Sequence, residues 1–256
     1  MGSLDHYADI LGRQGLIIPP FSNMRVLDQL AKIIHESATD MDNRLAAVLF
    51  EVYTPVNLAT MVVSRYAHTP IISEYTVTIS EAIEAHILGL DHVAVAGLIP
   101  VIEGVVVRLS LLNGISAKKS AKGKFTALVS CAIEKTNQKK LGDFQQVESM
   151  LKAFLVFLVD YFWENSSSYP LPDKTNRNGI LHGAYADKDY GYPINFYKVL
   201  SALDMLCWIS KFDPFPPQSS LESEALALYY IAMQKLRSQV MANCKKLVLG
   251  SATDSC

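Results

Sequence analysis

Apolar residues recur along this chain at helical spacing, and strand-like alternation is rare. In "MRVLDQLAKIIHESATD" (24–40), the apolar positions 26, 27, 30, 33 and 34 form one helical stripe, and Asn23 or Ser22 can cap its start. "DNRLAAVLFEVYTPVNLATMVVSRYAH" (42–68) is helical again but contains Pro55. A proline inside a helix costs about 3 kcal/mol, so a break is expected near Thr54. "TPIISEYTVTIS" (69–80) is β-branched and reads as extended chain or loop. Ser80, followed by Glu81 and Glu84, marks a helix start with acidic first-turn residues. From Glu81 to about Leu112 the pattern predicts one long helix, kinked at Pro100.

The second half continues in the same way. "NGISAKKSAKGKF" (113–125) reads as a connector, followed by a helix from about Thr126 to Asn137. Asp143 can cap "FQQVESMLKAFLVFLVDYFWEN". "SSSYPLPDKTNRNG" reads as a loop, and helices return at about 193–212 and 221–248, separated by "DPFPP". The pattern therefore predicts an all-α helical bundle. Residues 1–75 read as an N-terminal helical extension packed on a bundle of residues 76–248, with a flexible tail at 249–256.

Composition narrows this picture. Half of the 256 residues are hydrophobic, which is ample for a buried core. A general nucleic-acid binder is more often basic than this chain, whose formal net charge is −2, so any polyanion site must be a local patch. The cysteines at 131, 207, 244 and 256 are widely spaced and form no CxxC, which argues against zinc and a disulfide framework. They read as reduced thiols of a cytoplasmic protein, with Cys131 and Cys207 in helix cores. "MGSLDHYADILG" is too charged for a signal peptide. "VAVAGLIPVIEGVVVRLSLL" is interrupted by Pro100, Glu103 and Arg108, short of the ~18 apolar residues of a membrane span. It reads as a buried helix, and no membrane association is expected.

Candidate chemistry gathers in "KTNRNGILHGAYADKDYG" (174–191), where Arg177 stands five positions before His182. Chance alone supplies about one half of such a pair in a chain with this many arginines and histidines, so the spacing by itself decides little. Context adds to it: Asn178-Gly179 is a turn signal, Ile180 and Leu181 can anchor the segment, and Gly183 leaves the backbone beside His182 uncrowded. "NRNGILHG", the acidic–aromatic connector after it and the helix "NFYKVLSALDMLCWIS" resemble the HEPN superfamily of helical bundles, most closely bacterial members whose motif reads N-R-x-x-I-L-H-G. "GLIPVIEGVVVRL" (97–109) is similar to the long helix of those proteins. The resemblance spans roughly residues 80 to 210.

The resemblance implies a metal-independent, cofactor-free endoribonuclease with Arg177 and His182 as catalytic residues and Asn178 as the polar residue of the motif. It also implies RNA as substrate, a homodimer that brings two motifs together, and a role as toxin or phage-defence effector with an antitoxin or defence-system partner. Imidazole can move protons near neutrality, and guanidinium can bind phosphate in a fork. On a regular helix, five residues leave two side chains roughly 140° apart. Convergence is thus expected only through a turn at Asn178-Gly179, or through protomers completing each other's sites. The plainer alternative pairs Arg177 with Asp173 or Asp187 and leaves His182 on backbone. It makes the chain a non-catalytic module binding nucleotide, RNA or a protein partner.

Other residues offer weaker signals. Glu103 lies in very apolar sequence and needs a partner, either Arg108 or the Arg177–His182 pair, which it would orient. His86 and His92 are six apart and face different sides of a helix, which disfavours a metal site. Lys118, Lys119, Lys122 and Lys124 form a basic region that can contact RNA phosphates or simply be solvated.

Overall fold

The computed structural model describes residues 4–140, 143–212, 216–241, 243, 244 and 247, and among these every regular element is helical. The tail 249–256, expected to be flexible, lies outside the described residues. The first helices are α1 (Leu4–Gly12), α2 (Met24–Glu36), α3 (Met41–Val52) and α4 (Pro55–Thr60). They are followed by α5 (Thr76–Ile87), α6 (Asp91–Leu112), α7 (Ala121–Lys139) and α8 (Phe144–Val156). A single turn, α9 (Arg177–Leu181), then precedes α10 (Pro193–Lys211) and α11 (Leu221–Leu236). Segments Met61–Arg65, Phe157–Phe162 and Arg237–Met241 are π-helical.

Several boundaries follow from local chemistry. Asn23 caps α2 by accepting from the Val26 N–H. Thr54 caps α4, where Pro55 takes the first position and loses no hydrogen bond; the chain bends there by 56°. Asp143 caps α8 through the Gln146 N–H.

Three expectations change. "TPIISEYTVTIS" is not extended: Ile72–Tyr75 forms a 3-10 turn, and α5 starts at Thr76 rather than at Ser80. Packing in a helical core overrides β-branched preference here. The long helix expected over 81–112 is two helices, and the break falls at Gly89, not at Pro100. Gly89 has φ +74, a left-handed conformation that favours glycine, and its N–H and that of Leu90 close onto the His86 and Ala85 carbonyls. Pro100 sits on the exposed side of an unbroken α6. Finally, α7 begins at Ala121 because Ser120 caps it, so Lys122 and Lys124 belong to a helix and not to a connector.

Helix α6 packs against α5, α7 and α10, and α10 is buried continuously from Ile194 to Ile209. Helix α1 packs on α8, α3 on α10 and α4 on α11, so one core runs from Tyr7 to Met233 and takes in buried residues from Tyr7 to Ile72 of the expected extension. Helix α6 is long and apolar enough to cross a membrane, because Pro100, Glu103 and Arg108 do not interrupt it as expected; half of its most apolar window is buried in this core. Cys207 is buried, whereas Cys131 is half-buried and Cys244 exposed.

Candidate active site

The triplet Asn176-Arg177-Asn178 is anchored by its two asparagines. Helix α8 and its π-helical extension end at Phe162, leaving carbonyls without helical partners. Asn176 Nδ2 donates to the Tyr161 (2.8 Å) and Glu164 (2.9 Å) carbonyls, while its Oδ1 accepts from the Gly179 N–H (2.8 Å) and caps α9. Asn178 Nδ2 also donates to the Glu164 carbonyl, at 2.9 Å. Both amides thus bind one helix end, and the arginine between them points elsewhere.

Arg177 reaches α6. Its Nε donates to Glu103 Oε1, and its Nη2 donates to Glu103 Oε2 at 3.3 Å. Both side chains are about four-fifths buried, with 18% and 22% exposed. The guanidinium also lies over the Trp163 ring, 4.9 Å from its centroid. The remaining nitrogen, Nη1, donates to Asn178 Oδ1 (3.1 Å) and to His182 Nε2 (2.7 Å). Guanidinium only donates, so Nε2 is the acceptor of this hydrogen bond. The pair therefore meets within one chain and needs no turn at Asn178-Gly179. Those two residues are helical; His182 is the C-cap, with ψ 6, already outside the regular helix, and the long arginine side chain spans the rest. His182 is exposed.

Behind this motif lies a buttress that sequence reasoning missed. Asp173 pairs with Lys198 of α10 at 3.0 Å, both side chains 2% exposed. Asp173 also accepts from the Thr175 hydroxyl and N–H. Asn195 Nδ2 donates to the Asp173 carbonyl (2.6 Å) and to Thr175 Oγ1 (2.7 Å). The loop before Arg177 is thereby fixed to α10. Asp173 is thus not the arginine's partner. The visible signal was Lys198 itself, a cation inside the apolar run "NFYKVLSALDMLCWIS". On the far side, Tyr185 packs over Gly179, where a Cβ would lie 2.1 Å from its ring. His92 of α6 pairs with the Asp187 carbonyl at 3.0 Å, tying down the connector after His182.

The other candidates divide. Arg108 pairs with Glu74, at 2.7 Å for one of its two hydrogen bonds, and not with Glu103. His86 is buried, pairs with Asp91 and Tyr197, and stacks on Phe196; it lies on α5 and His92 on α6, so the two do not share one helix as expected. Among the described residues no group of His, Cys, Asp and Glu is arranged to hold a metal ion. Lys118 and Lys119 are exposed. Lys122 Nζ donates to the Val159 carbonyl (3.0 Å) and Lys124 Nζ to the Lys119 carbonyl (2.9 Å), so neither ammonium is a simple solvated charge. The Glu164 carboxyl is held below its ordinary range, mainly by a hydrogen bond from Ser168 and more weakly by Lys122, which places that lysine's charge beside the helix end that carries the motif.

The chain matches no family model, no curated protein and no solved structure.

Proposed function

We propose that the chain is a metal-independent endoribonuclease of HEPN type, with Arg177 and His182 as its catalytic pair. One observation carries this reading: an exposed imidazole whose Nε2 is held 2.7 Å from a guanidinium, itself oriented by Glu103. In the reaction, His182 Nε2 takes the proton of the RNA 2′-hydroxyl. The 2′-oxygen bonds to phosphorus, the bond to the 5′-oxygen breaks, and a 2′,3′-cyclic phosphate forms. Arg177 Nη1 turns from Nε2 to a phosphate oxygen and offsets the charge that builds there, while Glu103 keeps the rest of the fork still. Proton transfer contributes about 10²–10⁴ in rate and positioned charge about 10²–10³ more.

The leaving 5′-oxygen needs a proton from a second group. A twofold homodimer supplies it as the His182 of the other protomer. Lys118 and Lys119 are free to meet flanking phosphates, and the resulting affinity falls with salt. A toxin or defence role, with an antitoxin or defence-system partner, fits an enzyme that cuts cellular RNA.

A second reading has its own observation. Glu103 occupies the Nε edge of Arg177, which neutralises the cation and suits a non-catalytic module that binds nucleotide, RNA or protein. Incubation with structured and single-stranded RNA in EDTA separates the two. The nuclease reading expects cleavage by the wild type and a loss of at least about 10²-fold in Arg177→Ala and His182→Ala. Equal cleavage by all three proteins contradicts it, and no cleavage by any favours the binding module.

A further inference from the structure

A separate cavity of about 210 Å³ opens between the α1–α2 link, the end of α3 and α10. Its walls include Pro20, Phe21, Val26, Tyr53 and Met61, and its one buried charged group is Asp204 of α10, 3% exposed. Each Asp204 oxygen accepts one phenol: Oδ1 from Tyr66 (2.6 Å) and Oδ2 from Tyr53 (2.9 Å). A carboxylate has about four lone-pair sites, so acceptor capacity remains. At the mouth, Arg25 and Glu51 pair at 2.6 Å and cancel each other's charge. The Arg65 guanidinium stacks over Phe21 at 4.9 Å and its charge reaches Asp204. Burial nevertheless outweighs Arg65 and both phenols, and pushes the carboxyl up to about 7. A buried carboxylate with acceptor capacity left thus borders an apolar, aromatic-walled space.

We propose that this cavity binds a small aromatic amine, with its ring against Phe21 and Tyr53 and its ammonium on Asp204. Size agrees: a cavity of about 150 Å³ takes a benzene ring, and the extra volume accommodates a short amino arm. The ammonium donates to the remaining lone pairs of the buried carboxylate, and ring stacking supplies apolar burial. The proposal is independent of the nuclease reading, because none of the cavity residues contacts Arg177 or His182.

Titration calorimetry with phenethylamine, beside its neutral analogue 2-phenylethanol, tests this. The amine should bind the full chain at least about tenfold more tightly than the alcohol. Asp204→Asn should remove that preference. Val52→Phe, which places a ring in the cavity from the wall contributed by α3 and leaves Asp204 itself unchanged, should abolish binding of both and covers the case in which Asp204→Asn fails to fold. Equal affinity for amine and alcohol, undiminished binding by Val52→Phe, or no heat from the amine at about 10 mM would overturn the proposal.

Discussion

At the scale of single residues, position in the triplet Asn176-Arg177-Asn178 decides role. Asn176 is fully buried, caps α9 and satisfies two carbonyls of the preceding helix end. Replacing it with alanine removes a cap and one of two donors from each carbonyl, since the Tyr161 carbonyl keeps the Glu164 N–H and the Glu164 carbonyl keeps Asn178 Nδ2. Asn176→Ala should therefore cost about 1–2 kcal/mol in denaturant unfolding. Glu103→Gln acts differently. It keeps the shape but removes the charge that orients Arg177, so the nuclease reading expects kcat to fall about tenfold or more with KM nearly unchanged. A drop in thermal stability with unchanged kcat would mark Glu103 as purely structural. The pair Arg177 and His182 was legible in the sequence because both lie within six residues. The asparagines' duties were not, because their partners Tyr161 and Glu164 are backbone carbonyls twelve or more positions upstream, which no side-chain pattern records.

At the scale of elements, the helices were legible from their apolar spacing, two caps (Asn23 and Asp143) from their residue types, and the break at Thr54 from Pro55. Asn23, Thr54 and Asp143 each face an N–H three residues on, a purely local arrangement. The two breaks differ in cause. Gly89 ends α5 locally, in the left-handed conformation, with the Leu90 and Gly89 N–H groups closing onto the Ala85 and His86 carbonyls, whereas Pro100 is tolerated because α5, α7 and α10 hold α6 in place around it. Two substitutions follow. Pro100→Ala restores a backbone donor on the exposed side of α6 and should stabilise the fold by roughly 1–3 kcal/mol. Gly89→Ala forces a Cβ into the left-handed region, and should destabilise by at least about 1 kcal/mol. Thermal melts of the two variants should therefore move in opposite directions; a fall for Pro100→Ala would mean that the ring's packing outweighs its missing hydrogen bond.

At the scale of the whole molecule, α10 joins the pieces: Lys198 and Asn195 fix the motif loop, and Asp204 faces the cavity six residues on. The carboxyl of Asp204 is raised from its ordinary 3.8 to about 7, chiefly by burial. Between these values the folded chain holds a proton that the unfolded chain has lost. Its contribution to stability is therefore full below about pH 4, falls as pH rises toward 7, and is level above, with a total on the order of 4 kcal/mol. The difference between wild type and Asp204→Asn in unfolding free energy should follow that slope, and a flat difference would refute it. None of this was legible beforehand, since an acid inside an apolar helix signals burial but not which phenols meet it. For the nuclease reading, the most direct measurement is the chemistry of the RNA ends made in EDTA. Wild-type protein should leave 2′,3′-cyclic phosphates, and His182→Ala should leave none above background. Intact RNA with the wild type, or the same cyclic ends at the same rate from the variant, would contradict an Arg177–His182 nuclease.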